Sequence, residues 1–275
     1  MDKHPGGPKI CFLTMDLEND CGGRIGPVFD TINEKNIRKL INFINNQNVP
    51  LTLFITGRLF EEKRRELQLI QEEIKTIEFA LHSYSHPNLL NDYSEEIEKA
   101  VSAYKDFMGV PPLGYRGPQG KISKVDFECL KKHRFQYDSS IIPTIRPGVF
   151  NNRKMPKGPY YLDEYNLWEI PCSVFPFTGI PMGLGHLRLL GPTVTKFLFS
   201  FLPLLPVIVF VFHLHDIIQT EHADKLQGAW NFFYRRNVDQ GFSLFGFVIE
   251  DLRKKGYGFD LMKNAQANPV QNFQL

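Results

Sequence analysis

Three features of this 275-residue sequence predict an α/β fold built on a parallel sheet. Apolar runs of strand length alternate with segments of helical periodicity along the chain. Seven such runs are present, enough to close a barrel or to lay out an open doubly wound sheet. The third feature is the placement of polar residues. Asp16 and Glu18, His82 and His86, Arg116, Asp138 and His213 each stand at or just beyond the end of a strand run. In parallel α/β folds, functional groups gather at the C-terminal rim of the sheet.

The elements follow in order. Lys9–Met15 is a buried strand by its apolar run. In Asn36–Asn46, Ile37, Leu40, Ile41 and Ile44 recur at helical spacing. Leu51–Thr56 is the second strand, and Arg58 to Glu66 alternates charge sign like a solvated helix face. Ile77–Leu81, Leu113–Arg116, Phe135–Asp138 and Leu167–Pro171 continue the strands, with helical segments around Ile97–Phe107 and Val125–Lys132. From Phe197 to Phe212 no residue is charged. That run is shorter than the ~20 residues a membrane span needs, and Pro203 and Pro206 interrupt it. It reads as a buried helix to Leu202 followed by a central strand, Val207–His213, with peripheral membrane contact open to the helix's exposed side. A last helix, about Asp239–Lys255, stops at Gly256. The irregular, Gly- and Pro-rich stretches Pro143–Tyr165 and Pro171–Gly191 are expected to shape a substrate cleft. Residues after Asn264 read as a frayed tail. Without repeats or low-complexity linkers, one domain over 1–275, with a core of about 9–260, is the simplest organisation.

Composition narrows the partners. With 32 basic and 30 acidic residues the net charge is +2, so no nucleic acid or other polyanion partner is implied. Cys11, Cys21, Cys129 and Cys172 lack CxxC spacing, and Cys11 and Cys172 fall in apolar runs as buried free thiols. Met1 to Pro8 is polar and broken by proline and glycine, unlike a signal peptide, which makes a cytoplasmic location the expectation.

His82-Ser83-Tyr84-Ser85-His86 is the most informative stretch. Two imidazoles four residues apart lie on one side of a helical turn and can chelate one metal ion. Upstream, Asp16, Glu18 and Asp20 alternate along an extended chain and can face one spot. Two histidines and one carboxylate are a known ligand set for catalytic zinc, and a second carboxylate beside the metal's water would be a general base.

With these residues in view, the chain resembles the polysaccharide deacetylase (NodB-homology) family of carbohydrate esterases, and within it a D-x-E branch. Five motifs carry the resemblance, in family order. They are Thr14-Met15-Asp16-Leu17-Glu18, His82-Ser83-Tyr84-Ser85-His86, Tyr115-Arg116-Gly117-Pro118, Tyr137-Asp138-Ser139-Ser140 with Trp168-Glu169-Ile170-Pro171, and Phe212-His213-Leu214-His215-Asp216. The resemblance spans about Lys9 to Phe259 and implies a distorted (β/α)₇ barrel. It implies Asp16 as catalytic base, Arg116 as the partner that holds it, His82 and His86 as metal ligands, and a motif-five histidine as general acid. His213 is favoured for that acid and His215 is its rival. Leu17 replaces the second aspartate of the commoner motif. The metal carboxylate is therefore inferred to be Glu18, with Asp20 as rival. Trp168, His186 and Pro118 are expected to contact substrate. The implied cofactor is one divalent metal, zinc first, with cobalt, manganese or nickel as alternatives.

The implied activity is hydrolysis of an N-acyl group, foremost acetyl, from an amino sugar or glycan precursor. Alternatives are a deformylase or amidase acting on a lipid-linked sugar or small cyclic amide, and a barrel that binds carbohydrate without catalysis.

Overall fold

A computed structural model describes residues 9–87 and 92–267. In chain order the elements are β1 (Ile10–Leu17), α1 (Glu34–Gln47), β2 (Leu51–Ile55), α2 (Leu59–Glu62), α3 (Arg64–Glu73), β3 (Ile77–Leu81), α4 (Ser94–Met108), β4 (Gly114–Tyr115) and α5 (Lys124–Lys132). There follow β5 (Tyr137–Asp138), β6 (Ile145–Arg146), β7 (Phe150–Asn151), β8 (Tyr160–Leu162), β9 (Leu167–Glu169), α6 (Leu184–Leu190), α7 (Pro192–Phe201), β10 (Val207–His213), α8 (Leu214–Ile217), α9 (Ala229–Arg235), α10 (Gly241–Lys254) and β11 (Gly258–Asp260).

The sheet runs β10-β1-β2-β3-β4-β5-β9-β8, with β11 also on β1. Its first seven strands are those read from the sequence, all parallel. Only β8 joins antiparallel, on β9. The sheet curls into a distorted (β/α)₇ barrel with a seam between β9 and β10. Irregular backbone closes that seam: the Ser173 amide donates to the Val209 carbonyl, the Val211 amide to the Met182 carbonyl, and Gly183 bridges Val211 in parallel.

Alternation along the strands separates two cores. Cys11, Leu13, Met15 and Leu17 of β1 pack outward against the helices. Phe12 points the other way and meets Phe54, Ala80, Tyr137, Val207 and Val209. Continuing on the inner face of β1 by twos leads to Thr14, Asp16 and, just past the strand, Glu18. The same count on β3 runs Glu78, Ala80, His82.

The barrel floor is closed from below. The Met262 amide donates to Thr52 Oγ1, the Lys263 amide to Glu78 Oε2, and Met262 and Ala265 are buried in the inner core. Residues 262–267 form a short 3-10 helix, so the expected fraying does not begin at Asn264. They are held because the Met262 and Lys263 amides bond to polar groups inside the barrel and because Met262 and Ala265 are buried there. The rest of the expected tail, 268–275, lies outside the described residues.

Two more expectations change. The segment ending at Leu202 forms α7 as expected, but only one face is buried. Leu198 and Phe199 are covered, whereas Phe197 and Phe201 are 56% and 71% exposed. The histidine pair His82/His86 is not on a helical turn. Past β3 the chain runs through a loop in which Ser83 (φ 58°) and His86 (φ 55°) are left-handed. Glu96 of α4 pins this loop, accepting from the amides of Tyr84 and Ser85 at 3.1 and 2.7 Å. All four cysteines are buried and unpaired. No helix among the described residues is long and apolar enough to cross a membrane.

Candidate metal centre and active site

At the C-terminal rim, Glu18, His82 and His86 present one ligand atom each within 4.8 Å of one another. Glu18 Oε2 is 2.8 Å from His86 Nε2 and 3.4 Å from His82 Nε2. His82 Nδ1 lies 2.7 Å from the Arg116 carbonyl. A carbonyl only accepts, so Nδ1 carries a proton, which leaves Nε2 as the nitrogen that would face a bound cation. His86 Nδ1 is buried without a partner. Burial alone would raise the Glu18 carboxyl, but His86 and His82 outweigh it and hold the group well below the usual carboxylate range. His86 responds in the opposite sense: burial disfavours its charge, Glu18 more than restores it, and its pKa is raised. The arrangement calls for positive charge at the point where the three ligand atoms converge. Two imidazole nitrogens and one ionised carboxylate around that point fit a divalent cation such as zinc.

Asp16 lies beside this cluster, with Oδ2 4.0 Å from His82 Nε2 and 3.7 Å from His213 Nε2. Arg116 Nη1 donates to Asp16 Oδ1 at 2.6 Å and to Thr14 Oγ1 at 3.0 Å. The rest of the guanidinium is held by the Ser139 carbonyl and hydroxyl, and it lies 4.0 Å from the Phe54 ring centroid. Burial opposes ionisation of Asp16, yet Arg116, then His82 and His213, lower its pKa overall. The result is a buried, oriented carboxylate.

His213 and His215 stack, with centroids 4.7 Å apart and planes at 16°. Their proton affinities nevertheless diverge. Burial disfavours the charged form of His213, but Asp216, Glu18 and Asp16 raise it to about 9. His213 Nδ1 is 3.4 Å from Asp216 Oδ2, which also accepts the His213 amide at 2.9 Å. His215, depressed by burial and by neighbouring His213, falls to about 4. His213 is thus the ring that holds a proton next to Asp16 and Glu18, while His215 packs on Tyr234 at 4.8 Å.

The remaining expected residues separate. Asp20 turns away from the cluster: its carboxylate accepts from the Thr31 amide and contacts His222 Nδ1 at 3.1 Å. His186 lines the cleft above the metal cluster. Trp168 and Pro118 do not. Trp168 pairs across the strands with Tyr161, and their rings, 5.2 Å apart, occupy each other. Pro118 is buried at the start of a 3-10 turn whose neighbours Gly117, Gln119 and Gly120 face the cleft instead. Asp138 is buried, binding the Ser140 hydroxyl at 2.7 Å. It opposes Glu169 on β9, whose carboxyl is pushed well up by burial and by Asp138.

The cleft holds about 530 Å³. Pro171–Gly191 supplies much of its wall, as expected, while Pro143–Tyr165 contributes Arg146. Arg24, Trp230, Phe233 and Tyr234 also line it and were not anticipated. The signal for the last three was local: Trp230-Asn231-Phe232-Phe233-Tyr234 is an aromatic cluster between motif five and the final helix. Arg188 anchors that wall, donating to the carbonyls of Arg236 and Phe233 at 2.5 and 2.9 Å.

A polysaccharide deacetylase family model matches residues 18–137. Over 113 residues the chain is 30% identical to a peptidoglycan deacetylase of Helicobacter pylori, covering 40% of this chain and 38% of that protein. The chain thus spans well under half the length of this curated relative. Among solved structures, a Mycobacterium smegmatis protein assigned to the polysaccharide deacetylases matches at TM-score 0.62 and 16% identity, over 100% of this chain and 96% of that one. A CE4 family pseudoenzyme from Bacillus anthracis matches at TM-score 0.52 and 13% identity, over 95% and 66%. At such identities these two structures speak to the fold alone, and it is the barrel described above. The family model over residues 18–137, the motifs in order and the fold around them make this chain similar to the polysaccharide deacetylase, NodB-homology family.

Proposed function

We propose that this protein is a metal-dependent amide hydrolase that removes an N-acyl group, foremost acetyl, from an amino sugar. The observation that carries the reading is the junction of two functions at one point. Glu18, His82 and His86 converge as ligands, and ionised Asp16 and protonated His213 flank them within 4 Å contacts.

In this reading Glu18, His82 and His86 hold one divalent cation, zinc first by its donor set. When bound, the cation polarises the amide carbonyl and acidifies water at neutral pH. Asp16 accepts the proton of the water that attacks the acyl carbon, its charge and direction set by Arg116. His213 gives its proton to the departing amine, which would otherwise be a poor leaving group. Asp216 orients that ring. His215, neutral and stacked on His213, limits the movement of the ring. The described residues all build on or around one sheet, which supports a single catalytic domain.

The test is release of acetate or formate from a panel of N-acylated sugars by metal-loaded protein. Turnover that requires both metal and Asp16 supports the reading. Metal binding with no hydrolysis across the panel would turn it toward the carbohydrate-binding alternative.

A further inference from the structure

Two cationic side chains in the cleft have no counter-charge. Arg24 lies with its guanidinium carbon 3.3 Å from the centroid of the Trp230 ring, and Arg146 donates to the Gln119 carbonyl at 3.2 Å. Among the described residues, neither reaches a carboxylate within ion-pair distance. Arg116 and Arg188, the other two arginines lining the cleft, have partners in Asp16 and Asp216. Burial, then the charge of Arg24, lowers the proton affinity of Arg146. The two guanidiniums line one cleft, Arg24 exposed and Arg146 half-buried, and an anion between them would offset their like charges. Their forked donors match the oxygens of a phosphate, and two positive charges suit its charge better than a single carboxylate does. A neutral glycan has no use for this pair.

We propose that Arg24 and Arg146 form a phosphate subsite, and that the N-acyl sugar acted on is a glycosyl phosphate. This rests on the deacylase reading and adds the substrate's class. The phosphate could belong to a nucleotide or to a polyprenyl carrier. Apolar side chains are also available: Trp230 and Phe233 line the cleft, and Val194, Phe197 and Phe201 are 40 to 71% exposed at helical spacing on α7.

The test compares kcat/KM of metal-loaded protein on a neutral N-acetyl sugar, a nucleotide-linked one and a polyprenyl-phosphate-linked one in micelles. At least one phosphorylated substrate should be preferred by about tenfold or more, equivalent to one good charged contact. Which one it is identifies the carrier. Arg24→Gln with Arg146→Gln should collapse that ratio toward unity. Because Arg146 is half-buried, Arg24→Gln alone is measured as well, with a partial loss of the ratio expected. Independently of catalysis, calorimetry should show pyrophosphate binding weakened at least about tenfold in Arg24→Gln relative to the parent protein. If no sugar is deacylated, the hydrolase reading fails while this binding difference still tests the subsite. Equal kcat/KM for neutral and phosphorylated substrates, or pyrophosphate binding indifferent to Arg24, overturns the proposal.

Discussion

Two buried glutamates, Glu18 at the rim and Glu78 at the floor, face the inside of the same barrel and hold opposite protonation tendencies. Glu18 is surrounded by imidazoles and stays ionised. Glu78 meets neutral donors: Thr52 Oγ1 at 2.9 Å, Tyr137 Oη at 2.9 Å and the Lys263 amide at 3.0 Å. There burial prevails over the hydrogen bonds and its pKa is raised. Depth is not what separates them, since both are under a tenth exposed. The partners decide. Cations at the rim keep a carboxylate ready to bind metal, and dipoles at the floor let one act as a structural acceptor.

The comparison breaks most visibly at the ligands. Replacing both His82 and His86 by alanine should abolish metal uptake and turnover together, read by metal stoichiometry and acetate release. Survival of bound metal would remove the rim from the metal chemistry altogether. Asp16→Asn should lower turnover by about 10² to 10⁴ while metal stays near one per chain, because an isosteric amide keeps the packing and loses the base. Arg116→Ala should act through the same carboxylate, so the double variant should be far from additive. Additive losses would mean that the 2.6 Å contact does not matter to the reaction.

The two stacked histidines sharpen the same contrast. With His213 as the proposed acid, activity should persist below its pKa and fall as pH rises through that value. The alkaline limb belongs at or below about 9, because a cation held by Glu18 competes with the proton. His213→Ala should remove that limb and cut amide turnover far more than that of an activated aryl ester, whose leaving group needs no proton. If His215→Ala gives this dependence instead, the acid is misassigned.

The smallest effect is expected at the floor. A raised carboxyl pKa stabilises the fold at low pH, and this contribution is lost as pH rises through the folded value. Glu78→Gln should therefore leave metal content unchanged and flatten the decline of stability toward neutral pH. The change in unfolding free energy at pH 7 should be within about 1 kcal/mol, since the Tyr137 hydroxyl can turn to accept from the new amide. A large loss of metal or activity would show that the two ends are coupled.

Much of this was legible in the sequence because it depends on short-range pattern. Apolar runs give the seven strands, and their polar ends give Asp16, Glu18, His82, His86, Arg116 and His213. What escaped depends on contacts between distant segments. Trp168 looks like a sugar platform until Tyr161 is found opposite it. The H-x-x-x-H spacing suggests a helix, but the loop is set by Glu96 on a later element. Ala265 looks like tail because its burial in the inner core depends on strands far earlier in the chain. Arg24 and Arg146 are ordinary loop arginines until the fold leaves them facing one cleft without carboxylates.

The floor also bears on how the molecule is made. β1 is the first strand synthesised, yet it is flanked by β10, and Thr14 Oγ1 donates to the Phe210 carbonyl 196 residues later. β11 completes the other side of its first half, and the amides that satisfy Thr52 and Glu78 come from residues 262 and 263. During translation the first half of the barrel therefore emerges with an apolar strand edge and unsatisfied polar groups, and waits for nearly the whole chain. Long-range parallel pairing of this kind folds slowly and exposes sticky intermediates. Yield in the cell should then depend on chaperones that shelter β1 until residues 207–265 have been made.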